Sequence, residues 1–157
     1  MRVFYGLIIT AVILMIGACA LKAYKKEGAL ARVVFLYELG AFICGIIFLV
    51  YTYVPGTTIT VLCKGLIMAS FDWLLILLMY YTQYYTGMFK GIVGVKVFMI
   101  AYSLLETVAF LINTWTRWIF DITYISDDQI IVQFAKGNVL GRLHYVFDFV
   151  VVRCLQH

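Results

Sequence analysis

An all-α, polytopic membrane helix bundle is the fold class that this sequence predicts. Three observations predict it. Of 157 residues, 65% are hydrophobic and only 13% charged, and the mean hydropathy is +1.02, far from the balance of a soluble domain. The charged residues fall mainly between apolar runs that approach or exceed the roughly 20 residues needed to cross about 30 Å of hydrocarbon. Runs such as Leu74-Leu75-Ile76-Leu77-Leu78-Met79 are apolar at every position, so the alternation of a β-barrel strand is missing. In hydrocarbon each backbone N–H and C=O must be satisfied within its own segment, which leaves helices.

The elements follow in chain order. Complete spans are expected over 3–21, 33–54, 59–81 and 91–113, and a fifth opens at 142 and meets the C-terminus at 157 before it can cross. The whole chain, 1–157, is read as one domain. The first run has signal-peptide features in Arg2 and in Gly17-Ala18-Cys19-Ala20. It is longer than a signal segment and more spans follow, so a retained helix is expected. A lipoprotein reading of Cys19 would send Lys22, Lys25 and Lys26 across the membrane, against the charge rule.

Lys22, Lys25, Lys26 and Arg32 crowd the first connection, while Pro55-Gly56-Thr57-Thr58 has no charge. The positive-inside rule therefore puts the first connection in the cytoplasm and the N-terminus outside. Alternation places the connection around Tyr84 to Lys90 inside, the segment 114–141 outside and the C-terminus inside. Aromatics at Tyr51, Tyr53, Tyr80, Tyr81, Tyr84, Tyr85, Trp115 and Trp118 mark the interfaces. The net charge of +4 reflects this topology and implies no nucleic-acid partner.

The outer segment changes character. Phe120-Asp121-Ile122-Thr123-Tyr124-Ile125 and Gln129-Ile130-Ile131-Val132-Gln133-Phe134 flank Ser126-Asp127-Asp128, which reads as a short extracellular β-hairpin between helices four and five. An isolated hairpin is marginal in water, so it is expected to pack over the helix ends, as a lid over a pocket or as a plain connector. Cys19, Cys44, Cys63 and Cys154 lie in apolar runs with no C-x-x-C pair. They read as small buried hydrophobes at helix contacts, with no metal or redox role.

Ionisable residues within spans suggest a site once helix-end residues are discounted as snorkelling. At about 1.5 Å per residue, Lys64, Glu106 and Asp148 lie roughly 8, 10 and 9 Å below the outer edge. Glu38 and Lys96 lie roughly 8 Å from the inner edge, and Asp72 is deeper, at roughly 14 Å. Two polar layers are expected: an outer one of Lys64, Glu106 and Asp148, and an inner one of Glu38, Lys96 and Asp72. Packing pairs or outward-snorkelling lysines are the competing reading. His144, at the start of the fifth run, is a candidate pH-sensitive member of the outer group. Gly87, Gly91 and Gly94 give a small-residue face suited to helix packing. There is no phosphate loop, G-x-S-x-G, H-E-x-x-H or Walker pattern, so neither an enzyme nor a cofactor is indicated.

Leu30-Ala31-Arg32 before an apolar helix, Lys64-Gly65-Leu66, and Trp73-Leu74-Leu75 through Tyr84-Tyr85-Thr86-Gly87 resemble the N-terminal seven-helix sensor region of bacterial histidine kinases. Leu111-Ile112-Asn113, Trp118, Phe120, Gly141, His144 and Tyr145 continue the resemblance, which covers most of the chain. Thr116 and Arg117 stand where members often have histidines. The resemblance implies a signal-sensing input domain in a bacterial plasma membrane, with Asn113 and His144 near a ligand. It also implies two further helices and a kinase or cyclic-nucleotide-synthesising effector, which this chain lacks. Expected partners are the lipid bilayer, an unknown small ligand at the outer face and a second copy in a homodimer. The alternative is a small transporter or channel subunit with Lys64, Asp72, Glu106 and Asp148 along its path. Pro55 is the only proline and lies in a loop, so the broken helices of many transporters are not indicated.

Overall fold

The computed structural model describes the backbone of residues 2–87, 93–126, 129–136 and 138–155. Helices α1 (Arg2–Tyr24), α2 (Ala29–Tyr53), α3 (Thr57–Thr86) and α4 (Val93–Thr116) are followed by strands β1 (Phe120–Ser126) and β2 (Gln129–Phe134) and by helix α5 (Val139–Leu155). Among the described residues four helices, α1 to α4, are long and apolar enough to cross a membrane. This is a helical membrane protein by that measure, and α5 has 17 residues.

The helices run further than the apolar runs. α3 spans 30 residues because Tyr80 to Thr86 stays helical; there the Thr82 and Thr86 hydroxyls donate to the carbonyls of Leu78 and Thr82 at 2.9 and 2.8 Å. Gly87 stops it in the left-handed region, φ 78°, with its amide donating to the Gln83 carbonyl at 3.0 Å. A residue without Cβ takes that conformation at no steric cost. α4 ends instead on Arg117, a non-glycine residue at φ 53°.

Each helix packs on its chain neighbour through α4, and α3 is the hub, touching α2, α4, α5 and β2. The buried positions explain why. On α3, Val61, Gly65, Ala69, Asp72, Ile76 and Met79 are buried at steps of three and four, and on α4 so are Met99, Ser103, Glu106, Phe110 and Asn113. That spacing defines one face of a helix. A Cβ on Gly65 would stand 3.1 Å from the Phe110 Cβ and 3.3 Å from its carbonyl oxygen, so the glycine sets how closely α3 and α4 approach.

β1 and β2 pair antiparallel, Phe120 opposite Phe134 and Ile122 opposite Val132; Asp127 and Asp128 of the expected turn lie outside the described residues. Two buried apolar clusters result. One joins Val61, Ala69 and Phe110 to Ile119, Phe120 and Val132. The other holds Ile76, Met79, Met99, Phe147 and Val151. The strand pair therefore closes one end of the α3–α4–α5 packing.

The small-residue face is a point of difference. A Cβ on Gly94 would meet nothing within 4 Å, and Gly91 lies outside the described residues. The cysteines also divide: Cys63 is buried, Cys44 half-buried and Cys19 exposed, so the last does not serve a helix contact. The Cys154 side chain is outside the described residues.

Candidate functional site

Between the two apolar clusters the inward faces of α3, α4 and α5 each carry ionisable groups. Asp72 on α3 is 0% exposed, Glu106 on α4 is 1% and His144 on α5 is 1%. The His144 Nδ1 stands 3.3 Å from Glu106 Oε1 and 3.5 Å from Asp72 Oδ1, and its Nε2 stands 3.5 Å from Asp148 Oδ2, one helical turn further along α5. These are ion pairs only while the imidazole is protonated. The Asp148 side chain is 27% exposed and forms the open edge of the group.

The neighbours fix this arrangement. Phe110 meets the imidazole nearly edge-on, at 5.9 Å between ring centroids and 79° between planes, and Phe134 of β2 lies 6.1 Å from it. A Cβ on Gly141 would come within 2.6 Å of Phe134 Cδ1, so the first turn of α5 must be small there for the ring to cover His144. On the other side, Tyr102 donates its hydroxyl to Glu106 Oε1 at 3.3 Å and stacks on Phe147 at 4.2 Å. Trp73, beside Asp72, donates its indole N–H to Thr107 on α4 at 3.1 Å.

Asparagines tie the strand pair to the helices. Asn113 is fully buried and its Oδ1 accepts the Ile119 amide at 2.7 Å. The Asn138 Oδ1 accepts the amides of Leu140 and Gly141 at 2.9 and 3.3 Å, capping α5, while its Nδ2 donates to the Trp118 carbonyl at 3.1 Å. An asparagine at the first position before a helix supplies acceptors that the first turn otherwise lacks.

Much of this polar interior is unsatisfied. Both Asp72 oxygens, Glu106 Oε2, His144 Nδ1, Asp148 Oδ1 and the Ser103 hydroxyl are buried without a hydrogen-bond partner among the described residues. Buried polar groups normally have one, and an isolated buried carboxylate costs several kcal/mol. Three carboxylates facing one imidazole form a centre suited to holding protons or a cation. Asp72, His144 and Asp148 each offer a ligand atom, and these atoms lie within 4.8 Å of one another.

The candidates read from the sequence divide accordingly. Glu106, Asp148 and His144 come together, and Asp72 joins them rather than Glu38 and Lys96. Lys64 does not: it is half-buried and makes no ion pair among the described residues. Eight residues from Asp72, it lies about 12 Å along the axis and roughly 80° around it, so equal depth on separate helices does not translate into contact. Lys96 places its ammonium 5.8 Å from the Tyr80 ring centroid, a cation–π contact. Glu38 is half-buried on α2 and likewise has no ion pair among the described residues. The signal in the sequence that points to Asp72 is the stripe Gly65, Ala69, Asp72, Ile76, which depth alone ignores.

No protein-family model, curated protein or solved structure matches this chain.

Proposed function

We propose that this chain is a membrane-embedded signal-sensing input module of the histidine-kinase receptor type, whose sensing element is the Asp72–Glu106–His144–Asp148 centre. The observation that carries the reading is that four ionisable side chains from three helices meet in a largely buried interior. Adding or removing charge there changes what holds α3, α4 and α5 together, and packed interiors respond by switching between discrete arrangements. The strand pair supports the same reading, because its Phe134 covers the centre and its anchors, Asn113 and Asn138, sit on or beside the helices that would move. The resemblance in Trp73, Tyr84 to Gly87, Asn113 and His144 points the same way.

In this reading the N-terminus and the strand pair face the outside of a bacterial plasma membrane, and Lys22, Lys25 and Lys26 face the cytoplasm. An effector coupled to the helix ends reads out the shift, and the protein works with a bilayer and a second copy. In a chain whose own cysteines are replaced by alanine, Lys26→Cys is expected to resist an impermeant maleimide added to intact cells. Rapid labelling from outside would reverse the orientation.

The buried acids also support a second reading, a transporter or channel subunit that passes protons or cations through the centre. Proteoliposomes containing the full chain separate the two. The sensing reading expects no proton or cation flux above that of empty vesicles. It also expects a change in the α3–α5 distance, measured between spin labels, when a signal binds. Steady flux that Asp72→Asn abolishes would replace sensing by transport.

A further inference from the structure

We propose that the buried cluster of Asp72, Glu106, His144 and Asp148 binds one divalent first-row transition-metal cation. His144 Nδ1 lies 3.3 and 3.5 Å from an oxygen of Glu106 and of Asp72, and this nitrogen has no hydrogen-bond partner among the described residues. A charge-assisted N–H···O bond would close to about 2.7–2.9 Å. Ligand atoms about 2.0–2.2 Å from one ion are about 3.0–3.5 Å apart at octahedral or tetrahedral angles. The observed separations are wide for hydrogen bonds and suited to ligands sharing an ion.

Asp72 is wholly buried, no donor among the described residues is hydrogen-bonded to either of its oxygens, and one of them lies 3.5 Å from the unpartnered Nδ1. A single proton serves few of these atoms, whereas an ion accepts lone pairs from several of the four groups at once. No lysine or arginine pairs with the three carboxyl groups among the described residues, so a divalent ion that displaces their protons competes with no fixed cation.

On the far side of the ring Asp148 Oδ2 stands 3.5 Å from Nε2, and Asp72, His144 and Asp148 each offer a ligand atom within 4.8 Å of the others. The donor set decides the class. One imidazole among carboxylates suits Mn²⁺, Fe²⁺, Co²⁺ or Zn²⁺ better than Ca²⁺ or Mg²⁺, which favour oxygen-only shells, and a donor set without thiolate disfavours Cu⁺.

That the ion is the signal rests on the sensing reading above, whereas its binding does not. The full chain, in nanodiscs and stripped with a chelator, is titrated with Mn²⁺ followed by spin resonance and with Co²⁺ followed by its visible absorption. One ion per chain is expected, with a Co²⁺ spectrum that carries nitrogen coordination. His144→Gln is expected to weaken binding at least tenfold and to remove that nitrogen signature, while Glu27→Gln, in the first connection, leaves binding unchanged. No saturable binding by the unaltered chain overturns the site, as does a His144→Gln chain that binds as tightly as the parent. Spin-label distances between α3 and α5 are then read with and without ion. A shift extends the site into sensing; tight binding without a shift keeps the site and sinks sensing as its purpose.

Discussion

The buried side chain of Asn113 accepts the backbone amide of Ile119 at 2.7 Å, six residues along the chain, and so holds the start of the strand pair against the end of α4. Its own Nδ2 has no partner among the described residues. Asn113→Ala leaves the Ile119 amide unsatisfied in a buried position, where Ile119 is 0% exposed. A loss of about 1–3 kcal/mol is expected, read as an earlier thermal unfolding in detergent. An unchanged midpoint would mean that water reaches the amide and the anchor carries little.

Gly141 and Gly94 make a matched pair. A Cβ at position 141 collides with the Phe134 ring, whereas one at 94 meets open space. Gly141→Ala is expected to cost about 1–3 kcal/mol through overpacking. Gly94→Ala, in the second residue of α4, is expected to be neutral or to gain up to about 1 kcal/mol from helix propensity. Equal effects in thermal unfolding would refute the close approach of α5 to β2.

Arg117 ends α4 at φ 53° with its amide on the Asn113 carbonyl at 2.8 Å. A left-handed conformation costs an L-residue roughly 1–2 kcal/mol that glycine avoids. Arg117→Gly is therefore expected to stabilise the chain by about 0.5–1 kcal/mol, the gain being offset in part by the greater freedom of glycine in the unfolded chain. A fall in the unfolding midpoint would show that the arginine side chain makes a contact worth more than the strain.

Asp72→Asn replaces a buried carboxyl group that has no hydrogen-bond partner among the described residues. With chelator present, the substituted chain is expected to match or exceed the parent by up to about 1 kcal/mol, because an amide has no charge to hold out of water. With saturating Mn²⁺ the order reverses, since only the parent gains stability from the ion. Thermal unfolding under the two conditions gives both signs, and a parent indifferent to Mn²⁺ contradicts the cation site.

The helices are legible in the sequence because membrane length and apolarity are strong signals: α3 contains the expected 59–81 stretch whole, and α2 contains all of 33–54 but its last residue. Their ends are less so. The extension of α3 through Thr82 to Thr86 depends on where a left-handed residue falls, and Gly87 decides it. The site is legible by residue type but not by grouping. Glu106, His144 and Asp148 are readable as a set from depth, while Asp72 falls on another level because the apolar run ends the third helix at 81; carried to Thr86, α3 has Asp72 near its midpoint. Lys64 shares their depth but lies about 80° around α3 from Asp72, and depth along an axis is blind to rotation about it. Phe110 and Phe134, which enclose the imidazole, are ordinary apolar residues in sequence and acquire their role only through the α4–β2 packing.

The length of α3 has a mechanical consequence. Thirty residues extend about 45 Å, against roughly 30 Å of hydrocarbon, and the helix contains no proline. Asp72 sits near its midpoint, with Gly87 closing the far end. A rod that tilts about its centre moves most at its ends, so the aromatic end from Tyr80 to Thr86 is where a tilt begun among the buried carboxyl groups would be largest.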